Sequence, residues 1–475
     1  MSTAETRSSR SSVSFSFSGG ARSPASLSQP QSRRGQQEAA SFARPKTRPS
    51  QTEGQLAHFE ALVVKDKART AYHLVWISSL LLLAFGLCML LSVSVAVSSE
   101  DGGKFVYVKQ QGIAALVGLV CLAVAVRLNY RRLKVWLWPV TGTAVMLLLL
   151  VHVPSFGQSR GGSTSWLDLG LISLQPSEFA KLAVVILGSY FLSRRRSSLG
   201  DVLSFVWPFG AIGIVFCVLV VLEGDLGTAL IIAGVIVAMF WLAGMKAKHW
   251  FFLTGAGLAS ALALVVTSQE RMSRFLVFWD PSRDPHGSGY QLMQSLIALG
   301  RGGWFGAGPG QSIQKFQYLP EAHTDMIFSI LGEELGLVGS AGVILLFVIL
   351  GVASWRLASS CADGMGKLLI GSCAMLITLQ AAVNIGGVTG ALPLTGVPLP
   401  FVSYGRSSLV VMLTSVGLIL SVARRAPAVA QRQFPRFDNV TNIDSWRRNR
   451  GTRRASAGLG GRPYEGRSRG GLQWN

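Results

Sequence analysis

Ten apolar runs, each long enough to cross a bilayer as a helix, dominate the sequence: residues 74–97, 108–126, 135–152, 177–193, 204–222, 226–244, 250–267, 326–353, 368–388 and 407–423. A hydrocarbon core roughly 30 Å thick takes about 20 residues of helix, because every backbone N–H and C=O inside it must be satisfied within the protein. Composition agrees, since 49% of the 475 residues are hydrophobic and only 14% are charged, too apolar for a water-soluble globular chain. The expected fold is an all-α polytopic membrane protein with ten transmembrane helices.

The short loops orient those helices. Even-numbered loops hold Arg127, Arg131, Arg132 and Lys134; Arg194, Arg195 and Arg196; Lys246 and Lys248; and Arg356 and Lys367. Odd-numbered loops are poorer in basic residues or more acidic, with Glu100 and Asp101, then Glu223 and Asp225. By the positive-inside rule both termini are cytoplasmic and the odd loops face outward, including the large extracytoplasmic loop 268–324 between helices 7 and 8. Residues 163–182 and 390–409 are apolar but interrupted by Gly and Pro, which predicts re-entrant backbone around an outward-opening cavity.

A net charge of +21 collects at the two ends. Residues 1–72 (Ser/Arg/Gln/Pro-rich) and 424–475 (Arg/Gly-rich) read as disordered basic cytoplasmic tails around a 73–423 membrane domain. They are read as flanks holding the cytoplasmic side in place and contacting proteins, with no nucleic-acid partner expected. Cys88, Cys121, Cys217, Cys361 and Cys373 show neither a disulfide framework nor a metal-ligand spacing.

Charge is concentrated where it costs most. In "KFQYLPEAHTDMIFSILGEELGLVG" (315–339), Glu321 and Asp325 flank His323, and Glu333 and Glu334 follow inside an apolar run. Ionisable groups at membrane depth mark function or a paired network. Asp325 stands where a loop becomes a helix, so it can meet water and an amphiphilic substrate together, although an acid there also caps a helix. Glu333 and Glu334 lie about 12 to 14 Å further along, too deep to share its proton, and pairing with basic residues suits them better. Glu178 and Lys181 share one helix face. Asp280 and Asp284, each before Pro, read first as turn residues and second as rivals to Asp325.

"WLDLG" with "QPSEFAKL", "GDLGTAL", the run from "FWDPSRDPHGSGYQLMQSLIALGRGG" to "LPEAHTDMIFSILGEELGLVG", and "NIGGVTGALPLTGVPLPFVSYGRSSL" stand in one order over residues 73–423. Together they resemble the SEDS family (shape, elongation, division, sporulation), with wording closer to the FtsW division branch than to the RodA elongation branch. The resemblance implies a peptidoglycan glycosyltransferase of the inner (cytoplasmic) membrane, enriched at the division septum. Such an enzyme polymerises lipid II beside a class B penicillin-binding transpeptidase, and its tails would contact divisome proteins.

The resemblance also implies Asp325 as the catalytic base, with His323 as proton shuttle or orienting partner. The substrate-binding set would be Lys315, Arg301, Glu178, Glu321, Tyr290, Gln291 and Ser403. Arg274 is a weaker choice than Lys315 or Arg301 for the diphosphate, no metal ligands are assigned, and a divalent cation (Mg or Mn) is allowed by the chemistry. Three positions depart from the family pattern: Ser165 where Arg is frequent, Glu223-Gly224-Asp225 where "QPD" is usual, and Arg406 where "SYGGSS" has Gly. Arg406 has two readings, phosphate binding or perturbation of the re-entrant segment. A lipid II flippase or a non-catalytic division scaffold are the competing functions.

Overall fold

A computed structural model of the chain describes residues 51–97, 105–154, 156–160, 163–168, 173–194, 206–284, 287–316 and 318–426. Most of both expected tails, with Glu100, Asp101, Arg195 and Arg196, lies outside the described residues. The first helix, α1 (Gln51–Val97), begins well before His73, so residues 51–72 are helical rather than disordered. The reason is local: this stretch is rich in Gln, Ala, Leu, Glu and Lys, all good helix formers.

The remaining elements are α2 (Val106–Arg127), α3 (Leu133–Leu150), β1 (Gly157–Arg160), β2 (Ser163–Asp168), β3 (Ser173–Leu174), α4 (Pro176–Arg194), α5 (Phe209–Leu222), α6 (Leu226–Leu242), α7 (Ala247–Val266), α8 (Gln269–Trp279), α9 (Ser288–Gly302), α10 (Ile327–Ser360), α11 (Gly364–Val388) and α12 (Arg406–Arg425). Among the described residues seven helices are long and apolar enough to span: Asp66–Ser94 of α1, α2, Tyr130–Leu150 with its leading 3-10 turn, α7, α10, α11 and α12. The expected count of ten is finer than this. Helices α5 and α6 are apolar but have only 14 and 17 residues, because Gly224 (φ 84°) turns the chain between them and Asp225 caps α6. Helix α4 has 19 residues and includes Glu178, Lys181 and Arg194.

Helices α4, α11 and α12 form the interior, with Leu187, Ile377 and Val416 fully buried. By contrast α7 has no buried residue and is apolar all round, as a lipid-facing helix is. The fold is not purely helical. Strands β1, β2 and β3 form a three-stranded antiparallel sheet, with Gly157 opposite Leu167 and Leu167 opposite Leu174. The stretch expected to be re-entrant thus pairs as strands up to Leu174, because Ser165 and Leu167 turn inward while Thr164 and Trp166 do not. Residues 390–405 are irregular backbone, with Val397, Leu399, Phe401 and Val402 buried.

A second irregular segment, not anticipated, lies against α10. The helix breaks at Gly336 (φ 68°, ψ −164°), which frees backbone groups about two to three turns inside it. Residues 303–308 occupy the break: Ala307 N donates to Glu333 O (2.9 Å), Gly308 N to Glu334 O (3.1 Å), Leu337 N to Gly303 O (2.9 Å) and Val338 N to Trp304 O (3.1 Å). Non-helical backbone survives at this depth because α10 completes its hydrogen bonds. A Cβ at Gly336 would overlap Gly306 N and the Trp304 carbonyl, in a conformation side chains avoid. Gly336→Ala is expected to destabilise the protein by about 2–3 kcal/mol; an unchanged Tm in detergent would refute this role.

Candidate functional site

Several helix ends meet at the end of the bundle that carries α8 and α9, referred to below as the loop face. Asp325 stands there, half-buried, two residues before α10. Its backbone is held by Asn384 of α11, whose Nδ2 donates to Asp325 O and to Val397 O, both at 2.8 Å. One turn away, Gln380 Nε2 donates to Pro398 O (2.9 Å). Two amides on one helix face therefore clamp the irregular 390–405 segment, and one of them also fixes the peptide that carries the carboxylate.

The carboxylate is set in an acidic surround. Glu321 (φ 54°) turns the chain so that its O accepts from Thr324 N and Met326 N. The Thr324 hydroxyl lies 2.7 Å from Glu321 Oε2 and 3.2 Å from Asp325 Oδ1, yet has a single proton to give. Burial first, and then the charge of Glu321, push the Asp325 carboxyl up from 3.8 to about 7, while Thr324 and the more distant Arg274 act the other way. A carboxylate with that affinity for a proton can accept one near neutral pH.

His323 forms a three-ring cluster with Tyr107 (centroids 4.6 Å apart) and Tyr404 (5.6 Å), which also touch each other (5.2 Å), and its O accepts from Tyr404 N (2.9 Å). The Tyr404 hydroxyl donates to Gln110, and Gln111 Nε2 donates to Ser403 O (3.0 Å). The start of α2 thus braces the far wall of the site. Ser403 itself is buried, its Oγ accepting from Leu399 N (2.8 Å). Tyr290 and Gln291 occupy the first turn of α9, half-buried, and no hydrogen bond among the described residues joins either to Asp325.

The other acids and cations are arranged as pairs. Lys315 Nζ contacts Glu334 Oε1 (2.9 Å), Ser92 Oγ (3.0 Å) and Gly310 O (2.8 Å), with both charged side chains almost fully buried. Glu333 accepts from Ser312 Oγ, Ile313 N (3.1 Å) and Gln314 N (3.3 Å), and Arg301 lies 3.6 Å away. These pairs sit roughly 10 Å along α10 from its start, away from Asp325. Glu178 is fully buried against Lys181 (2.7 Å), whose Nζ also reaches Gln380 Oε1 (2.6 Å), so this pair lies directly behind the amide clamp. Arg274 pairs with Glu270 (2.8 Å) on exposed α8. Asp280 accepts from Ser282 N and Oγ (3.2 and 2.6 Å), contacts that hold its carboxyl below the ordinary range, and Asp284 accepts from Ser273 (3.4 Å). Both have the turn role. Among the described residues no group of three or more His, Cys, Asp or Glu could hold a metal ion.

Sequence reasoning missed Asn384 and Gln380, although two amides four residues apart in the apolar run "LQAAVN" are a readable signal. It noted Glu223 as an acid of an outward loop and as a departure from the family pattern, not as a buried group. That side chain is 2% exposed, and neither carboxylate oxygen has a hydrogen-bond partner among the described residues. Burial first, and the Asp225 charge second, push its carboxyl up from 4.5 to about 9. The folded protein therefore holds a proton there that the unfolded chain releases above its ordinary pKa, so stability falls as pH rises through that window. Glu223→Gln removes the penalty, and its Tm advantage over wild type is expected to grow from about pH 5 to about pH 8.5. An advantage that does not change with pH would contradict the assignment.

Spanning helices around a half-buried carboxylate define a polytopic integral membrane protein with a candidate site at its loop face. The chain belongs to the FTSW_RODA_SPOVE family, described as "Cell cycle protein", whose model matches residues 72–427. It is 38% identical over 360 residues to "Probable peptidoglycan glycosyltransferase FtsW" of Geobacter sp. (strain M18), covering 75% of this chain and 98% of that one. It is 39% identical over 351 residues to "Stage V sporulation protein E" of Bacillus subtilis (strain 168), covering 73% and 95%. A solved structure titled "Structural coordination of polymerization and crosslinking by a peptidoglycan synthase complex" matches with a TM-score of 0.61 and 29% identity, over 74% of this chain and 96% of that one.

Proposed function

We propose that the chain is a peptidoglycan glycosyltransferase that polymerises lipid II during cell division, with Asp325 as general base. The observation that carries this reading is the placement of Asp325 at the start of a spanning helix, its peptide held by Asn384, where burial and the nearby Glu321 charge push its carboxyl up to about 7. The acceptor hydroxyl gives its proton to Asp325 while its oxygen bonds to the donor sugar; the sugar–diphosphate bond breaks and the lipid diphosphate leaves. Glu321 raises the basicity of Asp325, and His323 orients the neighbouring loop. Arg301, Tyr290 and Gln291 meet the headgroup, whereas Lys315, Glu178 and Ser403, all buried, hold the walls.

In this reading α4, α5 and α6 span together with the seven longer helices, both tails are cytoplasmic, and the loop face is the outer face of the inner membrane at the septum. A class B penicillin-binding transpeptidase packs on the apolar helices, consistent with the synthase-complex title of the similar structure. A flippase would keep its decisive charges near the midplane. The deep acids here are already committed, Glu334 to Lys315 and Glu178 to Lys181.

The test is glycan synthesis from purified lipid II by the protein co-purified with its transpeptidase. Asp325→Asn is expected to lower the rate by about 10²-fold or more; equal rates would move the base elsewhere. Glu321→Gln removes the charge that raises the Asp325 pKa, so the acidic limb of the pH–rate profile is expected to move to lower pH. A shift to higher pH, or none, would contradict the assigned cause.

A further inference from the structure

Arg406 opens α12 at the loop face, half-buried. Its neighbour Gly405 donates to Gln111 Oε1 (3.3 Å), and Tyr404, two residues back, is bonded to His323. Two residues of extended chain span about 7 Å, so Arg406 lies close to the wall that carries His323. On its other side the guanidinium donates to Ser173 Oγ in β3, and the next residue, Ser407, accepts from Gln175 N (3.0 Å). Arg406 is thus held between the sheet and the candidate site.

No carboxylate pairs with it among the described residues, unlike Lys181, Arg274, Arg283, Arg301 and Lys315. The first turn of α12 has no acid, and the positive end of the helix dipole makes a cation unfavourable there. Its position therefore does nothing for the helix. Ser407 and Ser408, 7% and 5% exposed, each accept a hydrogen bond, from Gln175 N and from Gln380 Nε2 (3.3 Å), and have no acceptor for their own protons among the described residues. Those hydroxyls face inward, about 100° apart around the helix, whereas the half-buried guanidinium, with one neutral partner in Ser173, is a charged donor that lacks an anion among the described residues.

We propose that Arg406 binds the diphosphate of the lipid-linked sugar substrate, an inference that rests on the function proposed above. The charge it supplies is separate from Lys315 and Arg301, which already face Glu334 and Glu333.

Initial rates against lipid II concentration, measured on the complex with its transpeptidase, test this with Arg406→Gln, Arg406→Lys and Ser173→Ala. Arg406→Gln keeps a donor for Ser173 but loses the charge, so an apparent KM raised about tenfold is expected, with kcat changed far less. Arg406→Lys is expected to recover most of the loss, and Ser173→Ala to cost less than Arg406→Gln. Inorganic pyrophosphate is expected to inhibit Arg406→Gln about tenfold more weakly than wild type. A lower kcat at unchanged KM, or equal inhibition by pyrophosphate, would overturn the proposal in favour of a structural tie to Ser173. If wild type makes no glycan, the general function fails, and calorimetric titration of wild type and Arg406→Gln with pyrophosphate still decides the arginine's role: equal affinity refutes it.

Discussion

One side-chain amide joins the two halves of the site. Asn384, 4% exposed, gives both its protons to backbone carbonyls, one at Asp325 and one at Val397. The first fixes the start of α10, and the second fixes an irregular segment that has few backbone partners of its own. In a low-dielectric interior such bonds are strong, and losing one leaves a buried carbonyl unsatisfied. Gln380, one turn below, repeats the arrangement at Pro398 and ties it to Lys181 and so to Glu178. The position of the Asp325 peptide follows from these two amides of α11, while the carboxyl's proton affinity comes from burial and from the charge of Glu321.

The same logic governs charge inside the bundle. Glu333, Glu334 and Glu178 each face a cation: the 303–316 segment brings Lys315 to Glu334, and the last turn of α9 brings Arg301 to Glu333. Removing one member of a buried pair costs about 3–5 kcal/mol, because the other charge stays behind. The segment that breaks α10 at Gly336 is therefore pinned by backbone bonds at the break and by side-chain pairs beyond it. Glu223 is the exception, a buried acid with no hydrogen-bond partner among the described residues, whose carboxyl is pushed by burial up to about 9.

Much of this was legible in the sequence. Apolar length placed the spanning helices, and the isolated acid at a loop–helix junction marked Asp325 before any fold was known. Pairing of Glu333 and Glu334 with basic residues was legible as a type of contact, but their partners were not: Arg301 comes from the last turn of α9, and Lys315 from a segment whose return to α10 depends on the non-helical angles of Gly336. Single-residue backbone geometry of that kind leaves no periodic trace. The sheet was misread because Gly and Pro around residues 157–176 signal broken backbone without saying that it pairs. Asn384 and Gln380 were passed over because an amide in an apolar helix has many structural uses, and only the folded 390–405 segment shows which carbonyls they serve.

Burial and Glu321 hold the Asp325 carboxyl near neutrality in the folded protein. The most direct measurement is a pH titration of the carboxyl stretch, by infrared difference spectroscopy of wild type minus Asp325→Asn in lipid nanodiscs. A carboxyl that titrates at about 7 is expected. A group ionised throughout, with a midpoint near the ordinary aspartate value of about 4, would contradict it.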